Sequence, residues 1–316
     1  MRLFLSGFFL IICSLAHCAE LLSVTWPTNS GAPPVQLESN ASQLLPAFRL
    51  ALTTLPEASI VSLALSQPPL LGLTPAQAAT LQPLTAQRYR LMAESALYSQ
   101  APSALPYCFS SEKPKNGLAT VYVPSGATSA TPVIIFLHGY GGSYLWYQHY
   151  LSEVFPDHII ICPAYGISSA FIPQKYVSEA ITAVSKHLTF QVSSPSLIGL
   201  SAGGFGACRI YVQTQHFYSR LICLAALPPD DTVFRFIPQA VPRFLSGGNE
   251  PFVIAGDFHR QINVIRRSCP GAEEATIPGA DHFFLLTHPV QTIEFLRRWL
   301  STQSKANLTE QTSTGS

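Results

Sequence analysis

At positions 197–204 the chain reads Leu-Ile-Gly-Leu-Ser-Ala-Gly-Gly, and this stretch decides the fold. Ser201 lies between Gly199 and Gly203, directly after a short apolar run, and a proline-free segment with spaced apolar residues follows at 205–214. This order predicts a strand, a tight turn that holds the serine in a strained backbone conformation, and a helix that starts at once. We interpret the stretch as a nucleophile elbow, in which the two glycines leave room where strand and helix approach closely.

The surrounding sequence alternates between strand-like and helix-like segments. The run at 133–137 is continuously apolar, as expected for a strand buried on both faces of a parallel sheet. Strand and helix in succession predict an α/β domain with a mainly parallel central sheet and helices on both faces. The predicted strands are 118–124, 133–137, 159–162, 197–200, 221–225, 251–255 and 275–277, and the predicted helices are 145–155, 175–188, 205–213, 262–267 and 290–300.

The N-terminal part of the chain differs from this pattern. One arginine and then an apolar run begin the chain, which is typical of a bacterial secretory signal peptide. The polar, proline-containing segment 21–38 reads as a linker, and helical pieces are predicted near 44–53 and 87–98. The predicted division is a signal peptide at 1–19, a linker and helical N-terminal extension at 20–116, the α/β domain at 117–300 and a disordered tail at 301–316.

The leader predicts an exported protein that is periplasmic, secreted or held at the bacterial outer membrane. Cys18 ends a sequence similar to a lipoprotein box, so lipidation there is the one membrane attachment that the sequence suggests. Five of the seven cysteines lie outside the leader, and both one or two disulfides and buried free thiols remain open.

Composition and spacing narrow the class of function. The net charge is +1 and only 11% of the residues are charged, so we expect no nucleic-acid partner. No Cys-x-x-Cys pair and no His-Glu-x-x-His spacing occurs, so we expect no metal and no cofactor. A hydrophobic content of 47% is ample for a packed core.

A second glycine-rich stretch follows the apolar run 133–137 and reads His138-Gly139-Tyr140-Gly141-Gly142. Both glycine-rich stretches come at the carboxyl ends of predicted strands, where open α/β sheets place their sites. The glycines allow backbone N–H groups to turn inward, and the N–H groups of Tyr140 and Ala202 are the candidate donors for an oxyanion.

Taken together, these motifs resemble those of the α/β-hydrolase superfamily over 118–300. The run that begins Gly-Leu-Ser-Ala-Gly-Gly is also similar to secreted esterases of the feruloyl and acetyl-xylan type and to polyester depolymerases. The resemblance implies a catalytic triad in the chain order serine, acid, histidine. Ser201 is then the nucleophile, and the histidine is expected on a late loop before the last helix.

Two histidines compete for the role of base. His282 follows a short predicted strand and small loop residues, whereas His288 adjoins Pro289 at the expected entry to the last helix. We therefore assign the base to His282.

The acid was sought among the five aspartates. Asp157 precedes a strand and Asp281 is adjacent to His282, so neither fits. Asp257 directly follows the predicted strand 251–255 and is the best candidate, although the acid of this family more commonly lies three residues past the loop glycine. Asp230 and Asp231, after the preceding strand, remain the alternative.

These assignments predict an exported serine hydrolase that cleaves carboxylic esters through an acyl-enzyme intermediate. The expected partner is a small-molecule or polymer-linked ester. A peptidase similar to prolyl oligopeptidases and a non-catalytic envelope protein that retains the fold are the alternatives.

Overall fold

The computed structural model describes residues 18–34, 44–167 and 174–301. The apolar run of the predicted signal peptide and the predicted disordered tail beyond residue 301 lie outside the described residues. Within the described part of the chain, no helix is long and apolar enough to cross a membrane.

The described residues form one eight-stranded sheet in the order β1-β2-β4-β3-β5-β6-β7-β8. β1 and β2 run antiparallel to their neighbours, and the six strands from β4 across to β8 are mutually parallel. The strands are β1 (Glu20–Pro27), β2 (Asn116–Val123), β3 (Val133–Leu137), β4 (Ile159–Ala164), β5 (Ser196–Leu200), β6 (Arg220–Leu224), β7 (Pro242–Gly247) and β8 (Glu273–Ile277).

Helices cover both faces of the sheet and extend beyond it. The N-terminal helices are α1 (Leu45–Thr54), α2 (Glu57–Leu65), α3 (Pro75–Glu94) and the short α4 (Leu105–Cys108), with a 3₁₀ turn at Pro68–Leu71. The helices that follow are α5 (Leu145–Val154), α6 (Gln174–Leu188), α7 (Ala202–Gln213), α8 (Pro251–Ile254), α9 (Asp257–Ser268), α10 (Phe284–Thr287) and α11 (Pro289–Ser301). The predicted fold class, a mainly parallel α/β sheet preceded by a helical extension, is confirmed.

The core consists of two layers on opposite faces of the sheet. All five residues of β3 are buried, as its apolar sequence predicts. Ile135 and Leu137 face the layer that contains α6, α7 and α9, while Ile134 and Phe136 face the layer that contains α5 and α11. Each such fully buried side chain contributes about 1.5–3 kcal/mol to folding, so this strand anchors both layers.

The segment predicted as the start of a linker is instead an edge strand. Residues 20–27 form β1, which pairs antiparallel with β2. Val24 and Trp26 are buried two residues apart on the same face of the strand. Pro27 ends the strand, where a missing N–H is tolerated. The alternation of buried and more exposed residues along 20–27, rather than the proline content of the segment, indicates that it forms a strand.

The strand predicted at 251–255 is also wrong, because this segment forms the short helix α8. Pro251 occupies the first turn of that helix, where its lack of an N–H does no harm. The strand that completes the sheet is β7, which pairs in parallel with β6 and β8. A short apolar run does not by itself distinguish a strand from a helix.

The sequence left open whether the cysteines form disulfides or are buried free thiols. The cysteines of the α/β domain are buried free thiols. The closest pair is Cys208 on α7 and Cys223 on β6, with their sulfur atoms 3.4 Å apart. Burial raises the pKa of the Cys223 thiol well above its usual range, so this thiol is uncharged and packs as an apolar group.

Candidate active site

Ser201 lies in the sharp turn between β5 and α7, with φ of 52° and ψ of −118°. This positive φ is a strained conformation for a residue with a side chain. The turn is held by a hydrogen bond of 2.7 Å from the Ser201 N–H to the carbonyl of Leu224. The strain lifts the side chain out of the sheet edge and leaves its hydroxyl beside a cavity.

Two glycines make the turn possible because strand and helix touch there. A Cβ on Gly199 would lie 2.3 Å from the carbonyl oxygen of Gly203. A Cβ on Gly203 would lie 2.2 Å from the carbonyl oxygen of Leu137. Both positions therefore exclude any side chain, as the sequence pattern predicts.

His282 connects the serine to a carboxylate. Its Nε2 lies 2.9 Å from Ser201 Oγ, and its Nδ1 lies 2.7 Å from Oε1 of Glu250. Because the carboxylate accepts the Nδ1 proton, Nε2 is free to accept the serine hydroxyl proton. The His282 side chain is 38% exposed, whereas that of Glu250 is only 5% exposed. This arrangement has the geometry of a nucleophile, its base and a group that orients the base.

The carboxylate beside His282 is Glu250, and the assignment of that position to Asp257 is corrected. Asp257 is the first residue of α9, and its carboxylate pairs with Arg260 at 2.7 Å. The error follows from the misplaced strand: β7 ends at Gly247, and Glu250 is the third residue past that loop glycine. The family spacing, counted from Gly247, leads to this residue, which is a glutamate and not one of the five aspartates.

The other candidates for the acid and the base contact groups away from the Ser201–His282 pair. The carboxylates that were considered bind groups away from His282 Nδ1: Asp230 with Gln261, Asp231 with Arg209, and Asp281 with Gln77 and the Phe283 N–H. His288 lies 2.9 Å from the hydroxyl of its neighbour Thr287. The structure therefore joins Ser201 to His282 and leaves His288 aside.

The glycine-rich loop after β3 lies directly against the nucleophile. A Cβ on Gly139 would lie 3.3 Å from Cβ of Ser201, and Gly141 and Gly142 have φ values of 96° and 113°. Tyr140 is exposed and lines the same cavity as Ser201. These positive φ values let the loop turn back toward the serine.

Ala202 is the first residue of α7, so its backbone N–H lies among the helix N-terminal donors that have no intrahelical acceptor. The helix N-terminus also favours negative charge. The assignment of the Tyr140 and Ala202 N–H groups as oxyanion donors stays a prediction that this arrangement accommodates.

His138 supports the base of this loop and does not line the cavity. Its ring stacks on Tyr165 at a centroid distance of 3.7 Å, and Nδ1 donates to the carbonyl of Gly139 at 2.9 Å. Nε2 accepts the Tyr165 N–H at 3.3 Å. Burial lowers the pKa of His138 to about 4, so the ring is neutral near pH 7.

A buried carboxylate from the N-terminal extension holds the other end of the loop. Glu57 on α2 accepts the N–H of Leu145, the first residue of α5, at 2.8 Å. It also accepts the hydroxyl of Tyr89 at 2.7 Å and that of Ser103. Burial raises the pKa of Glu57, and these hydrogen bonds oppose that effect. No local pattern marks Glu57, because its partners come from three distant segments.

A cavity of about 420 Å³ opens beside Ser201 and His282. The lining comes from the loop at 139–141, α5 and α10 of the α/β domain and from α2, the segment 71–73 and α3 of the extension. Its walls are mostly apolar, and no Asp, Glu, Lys or Arg lines it within the part of the chain that the structure describes. In that same part, no group of three or more His, Cys, Asp or Glu could hold a metal ion.

The sheet order and the strand–serine–helix turn define an α/β-hydrolase fold. Ser201, Glu250 and His282 follow β5, β7 and β8, and thus meet at the carboxyl edge of the parallel strands. The resemblance expected from the sequence is confirmed at the level of the fold.

Comparison with solved structures finds similar folds in several hydrolases. A thermostable esterase is 16% identical with a TM-score of 0.46, over 58% of this chain and 59% of that chain. A dienelactone hydrolase from Anabaena variabilis is 17% identical with a TM-score of 0.47, over 58% of this chain and 90% of that chain. A poly(3-hydroxybutyrate) depolymerase from Bordetella parapertussis is 15% identical with a TM-score of 0.41, over 53% and 79%. No protein-family model and no curated protein matches the chain.

Proposed function

We propose that this protein is a serine hydrolase that cleaves carboxylic esters through an acyl-enzyme intermediate. The observation that carries the proposal is the continuous hydrogen-bonded path from Ser201 Oγ to His282 Nε2 at 2.9 Å and from His282 Nδ1 to Glu250 at 2.7 Å. A serine hydroxyl is a weak nucleophile near neutral pH, and this path supplies the base and the group that orients it.

In the first half of the reaction, Ser201 Oγ attacks the ester carbonyl carbon while His282 Nε2 takes the hydroxyl proton. The imidazolium that forms is stabilised by Glu250, which stays ionised. The N–H groups of Tyr140 and Ala202 receive the negative charge that develops on the carbonyl oxygen. When the tetrahedral intermediate collapses, His282 returns its proton to the departing alcohol and the acyl group remains on Ser201.

In the second half, His282 removes a proton from water, and the resulting hydroxide attacks the acyl-enzyme. Collapse of this intermediate breaks the bond to Ser201 Oγ, releases the carboxylic acid and returns the proton to the serine. Each half of the reaction returns His282 to its neutral form, and the chemistry calls for no group beyond these side chains and backbone donors.

The cavity supports an ester rather than a charged substrate. Its apolar lining offers no ion-pair partner for a charged substrate group among the described residues. Among the described residues that line the cavity, Ser201 and His282 are the side chains that the proposed reaction uses. An uncharged acyl ester therefore suits the site.

Ester hydrolysis tests the proposal directly. We expect p-nitrophenyl acetate to be cleaved by the protein, and Ser201→Ala to lower kcat by on the order of 10⁴ or more, as for other catalytic serines. Peptide p-nitroanilides are the comparison substrates. Turnover by Ser201→Ala equal to that of the wild type would contradict the serine mechanism. A higher kcat/KM for the anilides than for the ester would indicate a peptidase instead of an esterase.

We also propose that the protein is exported, which the leader-like sequence at 1–19 supports. Mass spectrometry of the protein purified from its own cells tests this, because processing removes the leader and lipidation adds acyl mass to Cys18. An intact N-terminus that begins at Met1 would contradict export by this route.

A further inference from the structure

The N-terminal helices and the hydrolase machinery share one cavity. Ser201 and His282 lie at one end of it, and α2 and α3 of the extension contribute Val61, Ala64 and Leu81 to its wall. A helical extension that only stabilised the sheet would have no need to reach the reacting serine. From this juxtaposition we infer that the extension forms the acyl-binding pocket and that the substrates are esters of medium-chain aliphatic acids. The inference rests on the proposed function.

The chemistry of the wall favours an aliphatic chain. The extension contributes Val61, Ala64, Leu65 and Leu81, and α10, which packs against α3, adds Leu285 and Leu286. These aliphatic side chains suit a flexible alkyl chain, and the rings of Trp146, Tyr147 and Phe283 add further apolar surface to the lining. Thr85 also lines this part of the wall, and its hydroxyl is already bonded to the carbonyl of Leu81 at 3.0 Å.

The size of the cavity sets the chain length. A methylene group is similar in size to a water molecule, which takes roughly 30 Å³ in the liquid. A cavity of about 420 Å³ therefore holds on the order of a dozen non-hydrogen atoms. This is enough for an octanoyl ester group and too little for a palmitoyl chain. The pocket therefore favours acyl chains of medium length.

The acyl side of the ester is assigned to this pocket for a kinetic reason. The alcohol must leave and water must enter before the second half-reaction, so the leaving-group side needs access to solvent. His282, which protonates the leaving group, is 38% exposed. The acyl group stays on Ser201 through both steps, so an apolar space formed by α2 and α3 holds the part of the substrate that remains.

The wall is fixed to the catalytic loops by polar contacts. Glu57, at the start of α2, binds the N-terminus of α5. Gln77, at the start of α3, donates to Asp281 at 3.5 Å, next to the base His282. These contacts hold the extension in register with the reacting atoms, so the wall is part of the site and not a detachable cover.

A chain-length series with two matched variants tests the inference. The substrates are p-nitrophenyl acetate, butyrate, octanoate and palmitate. Ala64→Phe places a ring into the cavity, whereas Leu63→Phe changes the neighbouring residue of α2, which is 51% exposed and does not line the cavity. Octanoate has about six more methylene groups than acetate, and each buried methylene group is worth up to about four-fold, so the wild-type kcat/KM is expected to be on the order of 10³-fold higher for octanoate than for acetate and to fall for palmitate.

Ala64→Phe is expected to lower kcat/KM for octanoate about 30-fold or more relative to kcat/KM for acetate, since the added ring occupies space that the octanoyl chain needs and the acetyl group does not. Leu63→Phe is expected to leave both unchanged. Val61→Ala enlarges the cavity without the risk of overpacking and is expected to raise the ratio of palmitate to octanoate turnover. A wild-type preference for acetate, or equal losses in Ala64→Phe and Leu63→Phe, would overturn the inference.

Binding separates this inference from the proposed function. Trp146 lines the cavity, so its fluorescence should change when the uncharged ester methyl octanoate binds to Ser201→Ala. Binding of the octanoate ester to the variant without any ester turnover by the wild type would contradict the proposed esterase activity and support the acyl-binding pocket. Turnover of p-nitrophenyl acetate by the wild type without binding of the octanoate ester to the variant would support the proposed esterase activity and contradict the acyl-binding pocket.

Discussion

The Nδ1 proton of His282 is held by one nearly buried oxygen atom, that of Glu250. A neutral amide at this position would present an N–H group or a weaker acceptor to the imidazole. The ring would then favour the tautomer with its proton on Nε2, and it could no longer accept the proton of Ser201. The activity of the site thus depends on the charge of a side chain that does not touch the substrate.

Glu250→Gln is therefore expected to lower kcat by on the order of 10⁴, the size of effect seen when the orienting acid of a serine triad is made neutral. Asp257→Asn is the matched control, because Asp257 pairs with Arg260 at the start of α9. Steady-state hydrolysis of p-nitrophenyl acetate measures both. A large loss in Asp257→Asn with little change in Glu250→Gln would restore the original assignment of the acid.

The turn at Ser201 depends on close contact between the backbone at the start of α7 and that of β3. A second substitution tests this contact. Gly203→Ala would place a Cβ 2.2 Å from the carbonyl oxygen of Leu137. We expect a loss of about 3 kcal/mol in the free energy of unfolding and a loss of ester turnover. Gly271→Ala is the control, since its Cβ would find its nearest neighbour at 3.4 Å. Urea unfolding compares the two, and equal stabilities would contradict the close approach.

Local sequence was sufficient for Ser201 and His282 but not for Glu250. The serine and its glycines form a contiguous pattern, and the histidine lies on a loop that the order of elements locates. Glu250 depends on knowing which run is the strand, because the residue at the sheet edge changes when the strand moves. Once β7 is placed at Pro242–Gly247, the family spacing leads to Glu250.

At the scale of secondary-structure elements, the central strands β3, β4, β5 and β6 were predicted with nearly the observed bounds, whereas β1, β7 and α8 were not. The run at 133–137 forms β3 with the predicted bounds, and all five of its residues are buried between the two helical layers. The prediction is wrong for β1 because this edge strand lies in a polar, proline-containing segment, and for α8 because a short apolar run fits a strand as well as a helix. Pairing with β2 and packing around the helix, which the sequence does not display, determine their structures.

The contact between α2 and α5 gives a prediction at this scale. Glu57→Ala leaves the Leu145 N–H and the hydroxyls of Tyr89 and Ser103 without their acceptor, so we expect a loss of about 3 kcal/mol in the free energy of unfolding. Ester turnover should also fall, because the glycine-rich loop beside Ser201 leads into α5.

Glu153→Ala is the control for this change. Glu153 lies on α5 too, but its side chain is 46% exposed and its ion pair with Arg88 spans 3.4 Å. An exposed pair of this kind contributes less than about 1 kcal/mol. Thermal and urea unfolding of the two variants measure the difference, and comparable losses would show that Glu57 has no special role.

At the scale of the whole molecule, stability is expected to depend on pH through buried neutral histidines. Burial lowers the pKa of His138 from 6.5 to about 4. Between these values the unfolded chain binds a proton that the folded protein excludes, so the free energy of unfolding rises with pH in this window and is lost as the pH falls. From about pH 7 to about pH 5, His138 should account for a loss of about 2 kcal/mol.

Urea unfolding at the two pH values checks this expectation. His138→Asn should reduce the pH-dependent loss by about that amount, even if the variant is less stable at both pH values. His216→Asn, at an exposed position, should retain the full loss. The same pH dependence in His138→Asn as in the wild type would mean that His138 is not held neutral.

The architecture of the α/β domain followed from the sequence, while the role of the extension did not. Alternating strands and helices constrain the sheet, because each must bury an apolar face against the next. The walls that α2 and α3 contribute to the cavity come from residues far from Ser201 in the chain, with no motif of their own. Only the packed molecule shows that these helices line the same cavity as Ser201 and His282.

The measurement that tests the central claim most directly is fluorophosphonate labelling followed by peptide mapping by mass spectrometry. The path from Ser201 through His282 to Glu250 predicts one phosphonyl adduct on Ser201, no adduct at another residue in Ser201→Ala, and much slower labelling in Glu250→Gln than in Asp257→Asn. A folded protein that takes no adduct on Ser201, or that labels at the same rate in all variants, would contradict the account.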